Sequence, residues 1–208
     1  MSIYYPDTFI AFDVETTGLS AATEEVIEIG AVKFKNSKPV DEFSFLIKPT
    51  KRVPEESIKV HKITNEMLKT EPLMKEVLPK FVDFCSDSLL VAHNAGFDFK
   101  FIEKHLKIEK IKSPKGLVLD TLSISRAIVK DTFSFKLSSL VNKFNIDAEV
   151  FHRATDDAKY CGFLFIELIN RFKAENPSKD FSNIINLSNN GLRFKDFYKE
   201  QKQRSLFV

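Results

Sequence analysis

The sequence has no tryptophan and only two cysteines among its 208 residues. Cys85 and Cys161 fit neither a disulfide framework nor zinc-ligand spacing. Each lies in an apolar stretch of helical period, so we predict that both are core residues. No apolar run reaches the roughly 18 residues that a membrane span requires, and the first residues lack the pattern of a secretory signal. We therefore expect a cytoplasmic protein with no membrane partner.

Excess charge of one sign is also missing, since the formal net charge is only +2. Residues 176–208 hold six basic and three acidic side chains, which leaves 25 basic and 26 acidic residues in the body. A protein that binds nucleic acid by charge alone is usually far more basic. The slightly acidic body therefore excludes a passive backbone binder and suits a protein that takes up metal cations before it meets phosphate.

The hydrophobic pattern predicts an α/β protein with a mixed sheet. The apolar run over 8–14 indicates a buried strand that ends in acids and Gly18. Strands over 25–35 and 40–48, joined by turn residues at 36–39, should form a hairpin. Further along we predict short strands over 88–92 and 117–119, a short helix begun by Thr64, and helices over 74–85, 97–106, 123–129, 137–144 and 155–173. Asn176-Pro177-Ser178 then marks a boundary between a domain over 1–175 and a flexible C-terminal tail over 176–208.

Five polar residues stand where predicted strands end or predicted helices begin. Asp13 and Glu15 are two apart at the end of the first strand, so their side chains share a face. Asp98 falls in the first turn of a helix, and His152 and Asp157 flank the start of the longest helix. Taken singly, each has an ordinary explanation, as a solvated loop acid, a helix-start acid favoured by the helix dipole or a surface histidine.

Taken together, the four carboxylates predict a metal site. Strand ends and helix starts gather along the carboxyl edge of an α/β sheet, so these side chains should meet there. Four clustered anions repel one another unless cations are present, and two divalent ions would cancel their charge. Oxygen ligands favour Mg²⁺ or Mn²⁺ over softer metals.

Three motifs in this order make the chain resemble the DEDDh 3′→5′ exonuclease family. They are Asp-x-Glu-Thr-Thr-Gly from Asp13, Asn-Ala-x-Phe-Asp ending at Asp98, and His-x-Ala-x-x-Asp-Ala from His152. The resemblance covers roughly residues 9–172 and is closest to the proofreading subunits of bacterial replicative DNA polymerases. It implies an RNase H-like fold with a five-stranded mixed sheet, and release of nucleoside 5′-monophosphates one at a time.

The same resemblance implies a role for each site residue. Asp13, Glu15 and Asp157 would bind the first of two divalent ions, Asp13 would bridge to the second, and Asp98 would act partly through water. Two ions about 4 Å apart can hold both the attacking and the leaving oxygen of a displacement. His152 would accept a proton from the attacking water, a task that the ordinary histidine pKa of about 6.5 suits.

Six further residues are expected to contact a single-stranded or frayed 3′ end. The loop after the first strand should meet the terminal nucleotide, with Leu19 as a wedge against the last base. A mispaired end frays at lower cost, which favours its removal. Phe97 and Phe101 flank Asp98 at helical spacing and are predicted to be core. The predicted substrate contacts are Thr16, Thr17, Gly18, Leu19, His61 and Asn94.

The last residues resemble the short motif with which bacterial replication proteins bind the sliding clamp. Leu206 and Phe207 are adjacent apolar anchors, Gln203 can hydrogen-bond to backbone, and Ser205 is favoured in the motif. A second hypothesis is that the apolar residues upstream order on a replicative DNA polymerase subunit. These residues are Phe181, Ile184, Ile185, Phe194 and Phe197.

Two other functions remain open at this stage. An exoribonuclease or oligoribonuclease would use the same five residues, because contact with a 2′-hydroxyl depends on details of the pocket. From a different class, the chain could be a polymerase or clamp docking module without catalysis. The complete set of four acids with His152 argues against that second alternative.

Overall fold

The computed structural model describes residues 4–148 and 151–195, and these form a five-stranded mixed sheet flanked by helices. The strand order is β3-β2-β1-β4-β5. The first three strands are antiparallel neighbours, and β4 and β5 run parallel to β1. The predicted fold class is therefore confirmed. The strands are β1 (Thr8–Thr16), β2 (Val26–Lys35), β3 (Lys38–Leu46), β4 (Leu90–Ala92) and β5 (Val118–Asp120).

Helices cover both faces of the sheet. One layer of the core includes side chains from α2 and α3, and the other includes side chains from α4, α5, α6 and α7. The helices are α1 (Glu55–His61), α2 (Met74–Cys85), α3 (Gly96–Glu109), α4 (Thr121–Ile128), α5 (Leu137–Lys143), α6 (Ala154–Glu175) and α7 (Phe181–Leu187).

The alternation of side chains along β1 decides where its two acids point. Phe12 and Val14 enter the core layer shared with α2 and α3, whereas Phe9 enters the layer shared with α6. Asp13 and Glu15 lie an even number of residues after Phe9, so their side chains point to the same side of the sheet as that of Phe9. Their carboxylates therefore face the side of the sheet on which α6 lies.

Gly30 allows α6 to begin directly against the sheet. It pairs with Asp13 across the β1–β2 ladder. A Cβ atom at this position would lie 2.1 Å from the backbone nitrogen of Thr155 and 2.2 Å from the carbonyl carbon of Ala154. Only a residue without a side chain permits that approach, so Gly30 helps to place the start of α6 beside Asp13.

The predicted hairpin is confirmed, and the short helix predicted at Thr64 is wrong. Asn36 and Ser37 form a two-residue connection with φ angles of 51° and 63°, as a type I′ turn requires. The hydroxyl of Thr64 accepts the backbone N–H of Met67 at 3.3 Å, but this closes a turn. The short helix of this region is α1, which begins after Pro54 because that residue suits a helix start.

The tail predicted from residue 176 is folded as far as the structure describes it. Phe181 and Ile184 of α7 are buried in the core layer of α6, and Leu192 bridges to Val118 of β5. The ring of Phe194 stacks on that of Phe99 with centroids 4.4 Å apart. Residues 176–195 thus include segments that pack on the body of the domain, and the predicted tail over 176–208 stays a prediction for the residues beyond Lys195. These apolar residues pack on the body of this chain, which also contradicts their assignment to a polymerase surface, while Phe197 lies outside the described residues.

Two smaller expectations concern cysteine and membranes. Cys85 and Cys161 are both free and buried, so their prediction as core residues is confirmed. Within 4–148 and 151–195, no helix has the length and apolar character needed to cross a bilayer.

Candidate active site

Four carboxylates from three elements meet at the carboxyl end of β1. Asp13 and Glu15 come from β1, Asp98 from the first turn of α3, and Asp157 from the first turn of α6. Asp98 is only 2% exposed, and its Oδ1 accepts the backbone N–H of Val14 at 3.1 Å. Because Val14 separates the two strand acids, this bond fixes the third carboxylate beside them.

His152 stands directly beside this carboxylate cluster. It has a φ angle of 69°, which turns the chain sharply before α6. Its backbone N–H donates to Oδ2 of Asp157 at 3.0 Å. A ligand atom from each of Glu15, His152 and Asp157 lies within 4.8 Å of the other two. The exposed imidazole and two of the four acids can therefore act on one point in space.

Burial and mutual repulsion oppose ionisation of the cluster. Burial raises the pKa of Asp13 well above its ordinary value, and the charges of Asp98, Asp157, Glu15 and Glu28 raise it further. Burial, followed by Asp157 and Glu28, raises the pKa of Glu15 to about 8. For Asp157, burial outweighs the hydrogen bond from His152 and raises the pKa to about 6. The protein around the cluster therefore does not balance much of the negative charge that these carboxylates carry when they are ionised.

The residues present fit a pair of hard divalent cations. Oδ1 of Asp157 is buried and has no hydrogen-bond partner among the described residues, although Oδ2 is occupied. A buried acceptor without a partner is costly and calls for a ligand. The donors are carboxylate oxygens with one imidazole nearby, a set that suits Mg²⁺ or Mn²⁺. Asp13, Glu15, Asp98 and Asp157 are the residues that would hold such ions.

Glu28 is a fifth acid of the cluster that the sequence reasoning missed. It lies opposite Glu15 in the β1–β2 ladder and is 1% exposed. Nη2 of Arg153 donates to its Oε1 at 2.7 Å, and the backbone N–H of Ala154 donates to its Oε2 at 3.0 Å. Glu28 thus fastens the start of α6 to the sheet. The sequence feature that could have identified Glu28 is an acid inside an otherwise apolar strand, because a buried charge needs a partner.

Asp120, at the end of β5, organises the loop that leads to Asp98. Its Oδ1 accepts the backbone N–H groups of Asn94 at 2.9 Å and Ala95 at 3.2 Å. The same carboxylate caps α4 through the N–H groups of Leu122 and Ser123. The sequence predicts a strand over 117–119, but no role was predicted for the acid that follows it. Its carboxylate is already occupied by these donors, so it differs from the open Asp157.

The loop after β1 exposes one apolar side chain, whereas the hydroxyls of its two threonines are already hydrogen-bonded within the protein. The Thr16 hydroxyl donates to the carbonyl of Gly18 at 2.7 Å, and that of Thr17 donates to Glu24 at 2.6 Å. Both threonines are buried, whereas Leu19 is 88% exposed. Leu19 is therefore free to contact a base, while the threonines shape the loop. Their contact with a nucleotide stays a prediction.

His61 and Asn94 lie in contrasting positions. His61 ends α1 and is 3% exposed, and its Nδ1 accepts the backbone N–H of Ile63 at 3.0 Å. That bond leaves the proton on Nε2, which is buried without a partner among the described residues. Asn94 is exposed, with a φ angle of 63°.

Phe97 and Phe101 are the two aromatic residues that flank Asp98. Phe101 is fully buried as predicted, and Phe97 packs against the same core.

Replacing Asp98 with asparagine should stabilise the metal-free protein at pH 8. Burial raises the pKa of Asp98 from 3.8 to about 8. The folded state then binds this proton more tightly than the unfolded state, so stability falls as the pH rises from about 4 through about 8. Asparagine removes the charge and keeps an oxygen for the N–H of Val14.

Thermal unfolding in EDTA at pH 5 and pH 8 measures this effect. We expect a higher Tm for Asp98→Asn at pH 8 and a smaller difference at pH 5, with about 2–4 °C per kcal/mol for a chain of this size. Asp41→Asn, on the exposed part of β3, is the matched control. An equal or lower Tm for Asp98→Asn at pH 8 would contradict the raised pKa of the buried Asp98 carboxyl.

The sheet order and the acids at the end of its central strand define an RNase H-like nuclease fold. A family model described as exonuclease matches residues 10–165. The chain belongs to this exonuclease family. The family resemblance drawn from the three motifs is therefore confirmed.

Individual relatives agree with this assignment. DNA polymerase III subunit epsilon of Treponema pallidum is 36% identical over 170 residues, which are 81% of this chain and 79% of that protein. DNA polymerase III PolC-type of Caldanaerobacter subterraneus is 41% identical over 165 residues, but the match spans only 12% of that much longer protein. The solved structure of Exonuclease X in complex with 5′ overhanging duplex DNA has a TM-score of 0.65 at 23% identity. The matched region covers 78% of this chain and 91% of the Exonuclease X chain, and the likeness supports the fold.

Proposed function

We propose that this chain is a metal-dependent 3′→5′ exodeoxyribonuclease that proofreads for a bacterial replicative DNA polymerase. The observation that carries the proposal is the approach of Glu15, His152 and Asp157 within 4.8 Å, where Asp157 Oδ1 has no hydrogen-bond partner in residues 4–148 and 151–195. An imidazole beside carboxylates of raised pKa is the arrangement that metal-assisted hydrolysis needs. A docking module without catalysis has no use for so costly a cluster.

Each side chain then has a defined task. Asp13, Glu15, Asp98 and Asp157 hold two divalent ions, which supply charge stabilisation to the phosphoryl group when bound. His152 accepts a proton from the attacking water, for which its exposed position beside Asp157 leaves room. Leu19 contacts the terminal base, and the loop at 16–18 shapes the end of the path. Contact of His61 with the strand stays a prediction, since its Nε2 is buried.

Degradation of matched DNA and RNA oligomers under single-turnover conditions tests the function and separates it from the ribonuclease alternative. We expect removal of 3′ nucleotides from single-stranded DNA with Mg²⁺ or Mn²⁺, and none with EDTA. A duplex with a mispaired 3′ end should be trimmed faster than a paired one, because a mismatch frays at lower cost. Faster cleavage of RNA would favour an exoribonuclease, and activity in EDTA would contradict the metal site.

We also propose that the residues Gln203–Phe207 bind the sliding clamp of the same replication machinery. These residues lie outside the described part of the chain, and their sequence is the support. Leu206 and Phe207 supply two adjacent apolar anchors, and Gln203 supplies a hydrogen-bonding amide. Short peptides of this kind bind weakly because ordering opposes the contact. Tethering to a polymerase would add avidity.

Calorimetric titration of the cognate clamp should separate the motif from the rest of the chain. We expect binding by the wild type and by Lys199→Ala, and little or none by a double variant with Leu206→Ala and Phe207→Ala. Exonuclease rates on free oligomers should be equal in all three proteins, because the motif supplies no catalytic group. Equal affinity of the double variant and the wild type would exclude the motif.

A further inference from the structure

A cavity of about 710 Å³ opens beside the carboxylate cluster, on the side of α4 and α5. His152 and Asp157 line one part of it, and Arg126, Phe135 and Lys136 line another. None of the residues Thr16–Leu19 lines it. The cavity therefore adjoins the reacting position but is separate from the loop assigned to the terminal nucleotide.

The wall of this cavity carries two cations, and the α4–α5 loop, which contributes Phe135 and Lys136 to that wall, also carries Phe133, an aromatic residue that does not itself line the cavity. Arg126 and Lys136 are exposed, and neither forms an ion pair with another residue that the structure describes. On the same α4–α5 loop, two residues before Phe135, the side chain of Phe133 is fully exposed. Cations for phosphates next to an aromatic face for bases are the usual elements of a single-strand path. Their position also offsets the repulsion that an acidic cluster exerts on phosphate.

The α4–α5 loop is fastened in place. Nε2 of His93 donates to the carbonyl of Phe135 at 2.9 Å, and its Nδ1 is hydrogen-bonded to the Thr121 hydroxyl at 2.9 Å. Burial lowers the pKa of His93, which favours the neutral ring that this pair of bonds requires. The hydroxyl of Ser139 on α5 also bonds to that of Ser134 at 3.0 Å. The exposed aromatic ring therefore stands on an ordered loop.

We propose that this cavity and the α4–α5 loop bind the nucleotides on the 5′ side of the scissile phosphate. Arg126 and Lys136 would contact backbone phosphates, and Phe133 would stack on a base. The inference rests on the proposed exonuclease function and assigns to it a second part of the substrate site. It predicts that these side chains affect substrates with several nucleotides and leave a substrate with one nucleotide unaffected.

Two substrates separate these effects, a single-stranded thymidylate decamer and the p-nitrophenyl ester of thymidine 5′-monophosphate, which has no nucleotide beyond the first. The double variant Arg126→Ala with Lys136→Ala should raise KM for the decamer about 10-fold. Each lost phosphate contact should reduce the salt slope of binding by about 0.7. Phe133→Ala should raise KM for the decamer about 5-fold or more. All variants should hydrolyse the ester within 2-fold of wild type.

Tyr4→Ala and Lys38→Ala are the matched controls, since both side chains are exposed and neither lines the cavity. Wild-type values for the cavity variants on the decamer would overturn the proposal. Equal losses on both substrates would also overturn it, because they would place these residues at the terminal nucleotide or in the stability of the fold. A wild-type protein that leaves the decamer intact would instead contradict the exonuclease function.

Discussion

Asp13→Ala is expected to remove nearly all turnover while leaving the fold intact. Asp13 lies at the centre of the cluster, where Asp98, Asp157, Glu15 and Glu28 all raise its pKa. Its loss removes one of the four carboxylates that would hold the divalent ions. Stabilisation by metal ions is worth several kcal/mol, so a decrease of about 10³-fold or more in the single-turnover rate is expected. Within the described part of the chain the Asp13 side chain makes no hydrogen bond that holds β1, and removing a repelled anion should not lower the Tm in EDTA.

The measurement is the rate of 3′ cleavage of a labelled DNA strand, with circular dichroism melting of the same samples. Asp41→Ala, which removes an exposed acid from β3, is the control and should keep the wild-type rate. A near-normal rate for Asp13→Ala would show that the site is assigned wrongly. Loss of both activity and the melting transition would instead indicate a structural role.

His152→Ala is expected to lower kcat by roughly 10²- to 10⁴-fold, the usual effect of losing a general base. The bond from its backbone N–H to Asp157 does not involve the imidazole, so alanine can retain it. The carboxylates are unchanged, and the thermal stabilisation by Mn²⁺ should therefore survive, because ions bind only the folded state. The loss should appear in the rate of chemistry and leave metal affinity close to normal.

The φ angle of 69° at His152 calls for a second variant. Asparagine tolerates this backbone conformation better than alanine does, so His152→Asn tests the imidazole with less strain. If the imidazole is the general base, kcat should fall by about the same factor in both variants. A large loss of metal affinity in both would mean that His152 is a metal ligand, which its distance from Glu15 and Asp157 also permits.

The local elements of the site could be predicted because they depend on short-range patterns. Alternation along β1 placed Asp13 and Glu15 on one face, and helix-start positions placed Asp98 and Asp157 in first turns. The apolar spacing of α6 was clear over most of its length. Its first turn could be anticipated, but the depth at which Asp157 is buried could not, since that depends on what packs against it.

The missed residues are those whose role depends on a distant partner. In the sequence, Glu28 is only an acid within a predicted strand. Its role becomes visible when Arg153 and Ala154 are seen to donate hydrogen bonds to its carboxylate. The segment over 181–195 has the composition of a tail, because polar residues separate its few apolar ones. Burial of Phe194 against Phe99 offsets the entropy of ordering that segment. Neither contact leaves a periodic signal in the sequence.

The sequence by itself determined the five strands, five of the seven helices that the structure describes, the face of the β1 acids and the chemical types at the site, since these follow from local periodicity. Only the tertiary structure decided which of the acids remain open to a cation. Asp157 Oδ1 has no hydrogen-bond partner among the residues that the structure describes, whereas Glu28 and Asp120 are occupied. It also decided the close approach of α6 to Gly30 and the cavity between α4, α5 and His152. The physical reason is that burial and partnership arise when segments far apart in sequence pack together.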